Sequence, residues 1–154
     1  MRIRPARPDE AALLSALALR SKAHWGYDAE FMEACRVDLT LDPERIEADR
    51  TAVAEADGRV LGFVTLVGAP PEGELDMLFV EPDVIGRGVG RFLLAHLRRR
   101  AAESGFRRVL VAADPNAESF YAAMGAVRIG TVPSGSIPGR ELPLLALATG
   151  PSGD

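Results

Sequence analysis

Residues 78–97 read LFVEPDVIGRGVGRFLLAHL. An apolar run ends at Val80, three glycines stand at 86, 88 and 90, and an amphipathic run begins at Val89. Glycines let backbone N–H groups approach an anion closely, and a helix starting behind them adds positive potential to the concavity. Phosphate is the natural guest of such a turn; a glycine-rich turn that holds no ligand is the other reading of the same residues. The P-loop is excluded, because no Gly-Lys-Ser/Thr follows the glycines. A dinucleotide fingerprint fits better, with Asp114 ending the next strand in the place of a ribose-binding acid. Against it, Arg91 stands where the third glycine belongs, and Glu81–Ile85 separate the strand from the first glycine.

Composition makes any such anion site local. The 154 residues are 47% hydrophobic, the size of one ordinary domain, and carry a net charge of -4. That charge excludes broad attraction to nucleic acid or to an anionic membrane. No window approaches a membrane span and the N-terminal MRIRPARPDE has no signal-peptide core, so a cytoplasmic protein is expected. Cys35 is the single cysteine, cannot form an internal disulfide, and reads as a small buried hydrophobe. Lys22 is the one lysine among 18 basic residues and reads as compositional bias.

Outward from the glycine turn, hydrophobic periodicity predicts the remaining elements. Arg2–Ala6 alternates as a strand; Pro8-Asp9 opens a helix with Leu13, Leu14, Leu17 and Ala18 at helical spacing. SKAHWGYD, residues 21–28, interrupts that pattern before a second helix from Ala29 to Asp38 and a short one at Asp42-Pro43. TAVAEA, the turn Asp57-Gly58 and RVLGFVTLV predict a hairpin, and ELDMLFV a further antiparallel strand. After the helix of the glycine turn come a strand RRVLVAA, a helix from Ala117 to Met124 stopped by Gly125, and strands near 126–132 and 140–147. The order gives a mixed α/β or α+β domain over residues 1–148, with residues 149–154 expected to be a disordered tail.

LFVEPDVIGRGVGRFLLAHL resembles motif A of the GNAT superfamily of acyl-CoA-dependent N-acyltransferases, Arg/Gln-x-x-Gly-x-Gly/Ala at the end of the fourth strand. Gly88 and Gly90 match its small positions, while Ile85 replaces the usual Arg or Gln, and Arg87 is placed to supply the missing donors. A second stretch, NAESFYAAMGA at 116–126, resembles motif B, Asn-x-x-Ala-x-x-Phe/Leu-Tyr-x-x-x-Gly-Phe, with Ala126 in the aromatic position. SKAHWGYD and SGSIPGRELP add similarity to a bacterial subgroup of the family. The resemblance implies the GNAT fold: a mixed, mostly antiparallel sheet of about seven strands flanked by about four helices, from Arg2 to Leu147.

It also implies a chemistry. Backbone N–H groups of Gly86, Arg87, Gly88, Val89, Gly90 and Arg91 would hold the pyrophosphate of acetyl-CoA, and the main chain of Leu78, Phe79 and Val80 would pair with the pantetheine arm as an added strand. Asn116 is placed to bond the same arm or to cap the helix that follows. Tyr121 is the candidate acid for the departing thiolate, with a core aromatic as its alternative, and the Val80 N–H or its neighbour would face the oxyanion. Glu74 is the candidate base, Asp76 lies two residues on along the same strand face, and His24 is its rival; His96 reads as structural. Acceptor binding falls to His24, Trp25, Tyr27, Asp76 and Arg140. HWGYD either lines an amine pocket or packs a helical corner; SGSIPGR either reaches over the acceptor, with Arg140 able to bind a carboxylate, or simply connects a hairpin. Arg98–Arg100 reads as a solvated face at a helix C-terminus.

The expected activity is transfer of acetyl from acetyl-CoA to a primary amine of a small metabolite, without metal and without nucleic-acid or membrane partners. A homodimer through the last strands would be in keeping with the family. A protein or peptide amine as acceptor, or an acyl-CoA sensor without turnover, are the alternative functions.

Overall fold

The computed structural model describes residues 1–150. Seven strands form one sheet in the order β1-β2-β3-β4-β5-β7-β6. They are β1 (Arg2–Pro5), β2 (Ala52–Ala56), β3 (Arg59–Ala69), β4 (Glu72–Val80), β5 (Arg108–Ala112), β6 (Val127–Pro133) and β7 (Glu141–Ala148). The helices are α1 (Ala11–Ala23), α2 (Ala29–Cys35), α3 (Val89–Glu103) and α4 (Glu118–Ala123). All strand pairs are antiparallel except β4 with β5, the pair that α3 connects. This is the expected mixed sheet with four helices.

Alternation along the strands sends side chains into two separate cores. On one face Val64, Leu66, Leu75, Val109 and Val111 pack under Leu93, Leu94 and Leu97 of α3. On the other, Val53, Phe63 and Met77 pack under Leu14, Leu17 and Ala18 of α1. Each fully buried leucine contributes about 1.5–3 kcal/mol by leaving water. Leu13, expected on the apolar face of α1, is exposed instead. α2 ends at Cys35 rather than Asp38, because the chain must turn there to bury Leu39 and Leu41 while Val37 points out.

Two features of β4 open the sheet. Thr65 pairs with Met77 while the next residue, Leu66, pairs with Leu75, so Asp76 is an extra residue, a β-bulge. β5 pairs with β4 only at Glu72–Glu74; past Leu110 it keeps only β7, which it bonds along its whole length on the other edge, and β4 and β5 part. Leu75 to Val80 therefore present an edge without a β5 partner, facing the turn that leads into α3.

The first residue of the expected tail is packed. Thr149 is buried, with its hydroxyl bonded to the Phe106 carbonyl and its N–H to that of Arg107, so β7 packing carries past residue 148. The rest of that expectation, residues 151–154, lies outside the described residues. Among the described residues no helix is long and apolar enough to cross a membrane.

Candidate active site

The parted strands frame a cleft of about 1100 Å³ that runs from the glycine turn to the β4 bulge. At the first end, Gly86 and Gly88 adopt φ of +85° and +89°, a left-handed conformation that only glycine enters freely. Gly88 is the residue before α3, and the first helical bond runs from the Phe92 N–H to the Gly88 carbonyl, 3.0 Å. The N–H groups of Val89, Gly90 and Arg91 are thus left open at a positive helix end. A Cβ on Gly90 would come within 3.3 Å of the Phe120 ring, so this glycine lets α3 and α4 approach closely. Ile85, Gly86, Gly88, Gly90 and Arg91 line the cleft; Val89 turns its side chain into the core.

Arg87 stands between the two left-handed glycines of the turn. Its amide closes the preceding turn on the Val84 carbonyl, 3.1 Å, and its exposed side chain stands outside the cleft lining. The arginine that reaches the cleft here is Arg91.

Along the wall, Leu78, Phe79 and Val80 of the free β4 edge face Asn116, Ala117 and Phe120. Tyr121 is buried, and loss of water pushes its phenol well above the ordinary value, so it stays protonated. It packs in the core and also lines the cleft. Asn116 is not a helix cap: Asp114 takes that place and accepts from the Asn116 N–H at 2.8 Å. The Asn116 side chain instead donates to Asp114 and to the Tyr27 hydroxyl, at 2.9 and 3.0 Å.

At the far end lie the carboxylates. Glu74 and Asp76 both line the cleft, beside Asp38, whose carboxylate accepts from the Ser136 hydroxyl. Asp76 is open to the cleft yet crowded by protein. Loss of water raises its carboxyl above the ordinary value, and the negative charges of Glu74, Asp49 and Asp38 raise it further.

The aromatic break between α1 and α2 divides. Trp25 lines the cleft, whereas His24 packs edge-on against Trp25 at 5.2 Å, exposed and outside the cleft lining. Tyr27 stacks on Phe31 at 4.0 Å and directs its hydroxyl to Asp114, not into the cleft.

Asp114 brings together three distant parts of the chain. Lys22 bonds to it at 2.5 Å, Tyr27 at 2.8 Å, and Arg140 lies 3.6 Å away while donating to the Tyr27 hydroxyl at 2.9 Å. Burial alone would push this carboxyl up, but bonds from Lys22, the Asn116 amide and Tyr27 outweigh it and hold it below its ordinary value. Sequence reasoning missed Lys22 and Phe31 here. One lysine among 18 basic residues was the available signal, since a bias toward arginine leaves a retained lysine conspicuous. Arg98 also departs from expectation: it donates to the Met124 carbonyl at 3.0 Å and ties α3 to the end of α4. His96, away from the cleft, is half-buried, and burial, then Arg99 and Arg100, lower its pKa.

Comparison with known proteins agrees with this geometry. A sequence model described as the acetyltransferase (GNAT) family matches residues 17–126. An amino-acid acetyltransferase of Ralstonia nicotianae is 36% identical over 89 residues, 53% of this chain and 20% of that protein. A phosphinothricin N-acetyltransferase of Alcaligenes faecalis is 34% identical over 91 residues, 53% of this chain and 46% of that protein. The matches thus span less than half the length of these curated relatives. The crystal structure of a GCN5-related N-acetyltransferase from Rhodopseudomonas palustris superposes with a TM-score of 0.77 at 30% identity, covering 96% of this chain and 94% of that one. An N-acetyltransferase from Thermoplasma acidophilum in complex with coenzyme A shares the fold, with a TM-score of 0.76 at 17% identity over 96% and 98% of the two chains. With the family pattern matched across most of its length and the sheet parted where that pattern places the glycine turn, this chain belongs to the GNAT acetyltransferase family.

Proposed function

We propose that the protein transfers the acetyl group of acetyl-CoA directly to the primary amine of a small metabolite. The observation that carries this reading is the unpaired β4 edge, Leu75 to Val80, lying between an anion-binding helix end and two carboxylates. Acetyl-CoA supplies an acyl carbon activated by a thioester and an anionic pyrophosphate handle. The open N–H groups of Val89, Gly90 and Arg91 fit that handle, and the β4 main chain fits the amide-bearing pantetheine arm.

Asp76 takes the proton of the incoming ammonium, assisted by Glu74, which leaves a nitrogen lone pair free to attack the thioester carbon. Loss of water and neighbouring charge raise the Asp76 carboxyl toward the working pH, which suits it to act as a base. A β4 N–H at or beside Val80 faces the oxyanion of the tetrahedral intermediate. Tyr121, held protonated by burial, gives its proton to the thiolate as the carbon–sulfur bond breaks and regains one from the second proton that the nitrogen sheds as the amide forms. The amine nitrogen ends bonded to the acetyl carbon, and the coenzyme leaves as free thiol. The curated relatives, an amino-acid and a phosphinothricin acetyltransferase, support a small acceptor.

We place the reaction in the cytoplasm, in keeping with the single free, buried Cys35. Homodimer formation is supported by the edge strand β6, which exposes Val127 and Ile129. The test is calorimetric titration with acetyl-CoA against the native protein and Gly88→Glu, followed by thiol release with an amine panel. Micromolar binding that the substitution weakens at least tenfold is expected; equal binding by both proteins, or none by either, would refute the assignment of the turn.

A further inference from the structure

Charge is distributed unevenly along the acceptor end of the cleft. On the β4 side stand Glu74 and Asp76, with Asp38 beside them. Beyond the end of β5 stand Lys22 and Arg140, and the one carboxylate within ion-pair distance of either, among the described residues, is Asp114. Two cations sharing one carboxylate leave one positive charge uncompensated at a site where the side chains of Lys22, Arg140 and Asp114 are 14%, 20% and 13% exposed. Fixed charge this poorly hydrated favours a counter-ion from the ligand.

Arg140 is also prepared for one. Its guanidinium lies 5.4 Å from the Tyr27 ring centroid and 4.9 Å from that of Phe31. Among the described residues its one side-chain hydrogen bond runs from a terminal nitrogen to the Tyr27 hydroxyl. The two rings hold the guanidinium, and Arg140 lines the cleft, an arrangement suited to a planar oxyanion. Lys22, itself 5.3 Å from the Tyr27 centroid, adds a second charge beside it.

We infer that the acceptor is zwitterionic: an amine carrying a nearby carboxylate, as in an α-amino acid, with the carboxylate held by Arg140 and Lys22 and the ammonium received by Asp76 and Glu74. This deepens the acetyltransferase reading and rests on it. The two poles lie on opposite lips of the parted strands, so a dipolar substrate is oriented across the gap with its nitrogen toward the thioester. Acetylation then turns the cationic end into a neutral amide, which the carboxylates no longer attract, and product release is favoured.

The experiment measures thiol release with the twenty common L-amino acids, with the primary amide of each accepted one, and with the amine lacking the carboxyl group altogether. The best free acid is expected to exceed its amide in kcat/KM by about 100-fold, because a site built around a charged fork is left unpaired by the amide. Arg140→Met should compress that ratio below about tenfold, chiefly through KM of the amino acid, with acetyl-CoA affinity unchanged; Lys22→Met should act in the same direction, and Arg140→Lys should restore part of the ratio. Circular dichroism checks that each variant folds. Absence of acetyl-CoA binding would overturn the underlying acetyltransferase reading. Acetyl-CoA binding without acetylation of any amino acid, or amides turned over as well as acids, or a ratio untouched by Arg140→Met, would overturn the zwitterion proposal alone.

Discussion

Acid should loosen the protein first at the start of α1. Glu10 is buried, and its carboxylate accepts two bonds from the Arg4 guanidinium, at 2.9 and 2.8 Å, and one from the Arg7 N–H at 2.8 Å. The Arg4 bond is the main reason that its pKa falls from 4.5 to about 2; burial opposes it and the Arg7 amide adds to it. A carboxyl whose folded pKa lies below its unfolded one stabilises the fold above the unfolded value and loses that contribution as pH falls through the folded value. The contribution is thus about 3 kcal/mol above pH 4.5, about 1 kcal/mol at pH 3, and nearly absent at pH 2. Arg4 is raised by the same contact, so the pair is counted once. Urea denaturation followed by far-ultraviolet circular dichroism should show the native protein more stable than Glu10→Gln at pH 7. That gap should narrow by about 2 kcal/mol at pH 3. A gap that stays constant from pH 7 to pH 3 would refute the argument that the Glu10 charge, rather than its shape, anchors β1 to α1.

Asp76→Asn should lower kcat by roughly 10²–10⁴-fold and remove the acidic limb of the pH profile. In the native protein that limb rises with pH as Asp76 loses its proton, above the ordinary carboxylate range. Tyr121→Phe should reduce kcat by about 10²-fold while leaving acetyl-CoA affinity unchanged, read by steady-state kinetics beside calorimetry. An unchanged kcat would assign Tyr121 to packing alone. Arg98→Met removes a charged donor from the Met124 carbonyl and should cost about 1–2 kcal/mol, a drop of about 2–6 °C in Tm by calorimetry.

How much of this was legible depended on whether a residue's partners lay nearby in sequence. The strand and helix order followed from hydrophobic period, and the glycine turn from its own residues, because positive φ at Gly86 and Gly88 and the start of α3 are local properties. The polar network around Asp114 was not legible: Tyr27 meets Arg140 across 113 positions, and no local pattern announces such a pairing. Asn116 looked like a cap because it is a capping residue at a helix start, yet Asp114 two positions earlier reached the amide first. Arg87 lay in the right stretch, but its amide was spent closing the turn, a choice set by backbone geometry. Trp25 and His24 are neighbours that the end of α1 sends to different surroundings, and only the fold decides which one meets the cleft.

The extra residue in β4 also constrains how this chain can change. Before Asp76, Leu75 faces α3; after it, Met77 and Phe79 face α1. Deleting Asp76 would restore simple alternation and leave the downstream faces where they are, with Leu78 under α3 and Phe79 under α1, whereas losing a residue further along with the bulge kept would exchange the faces beyond it. Substitutions at Glu74 or Asp76 leave this parity intact. Length changes that spare the packing are therefore confined to the bulge itself and to the loops on either side of the strand.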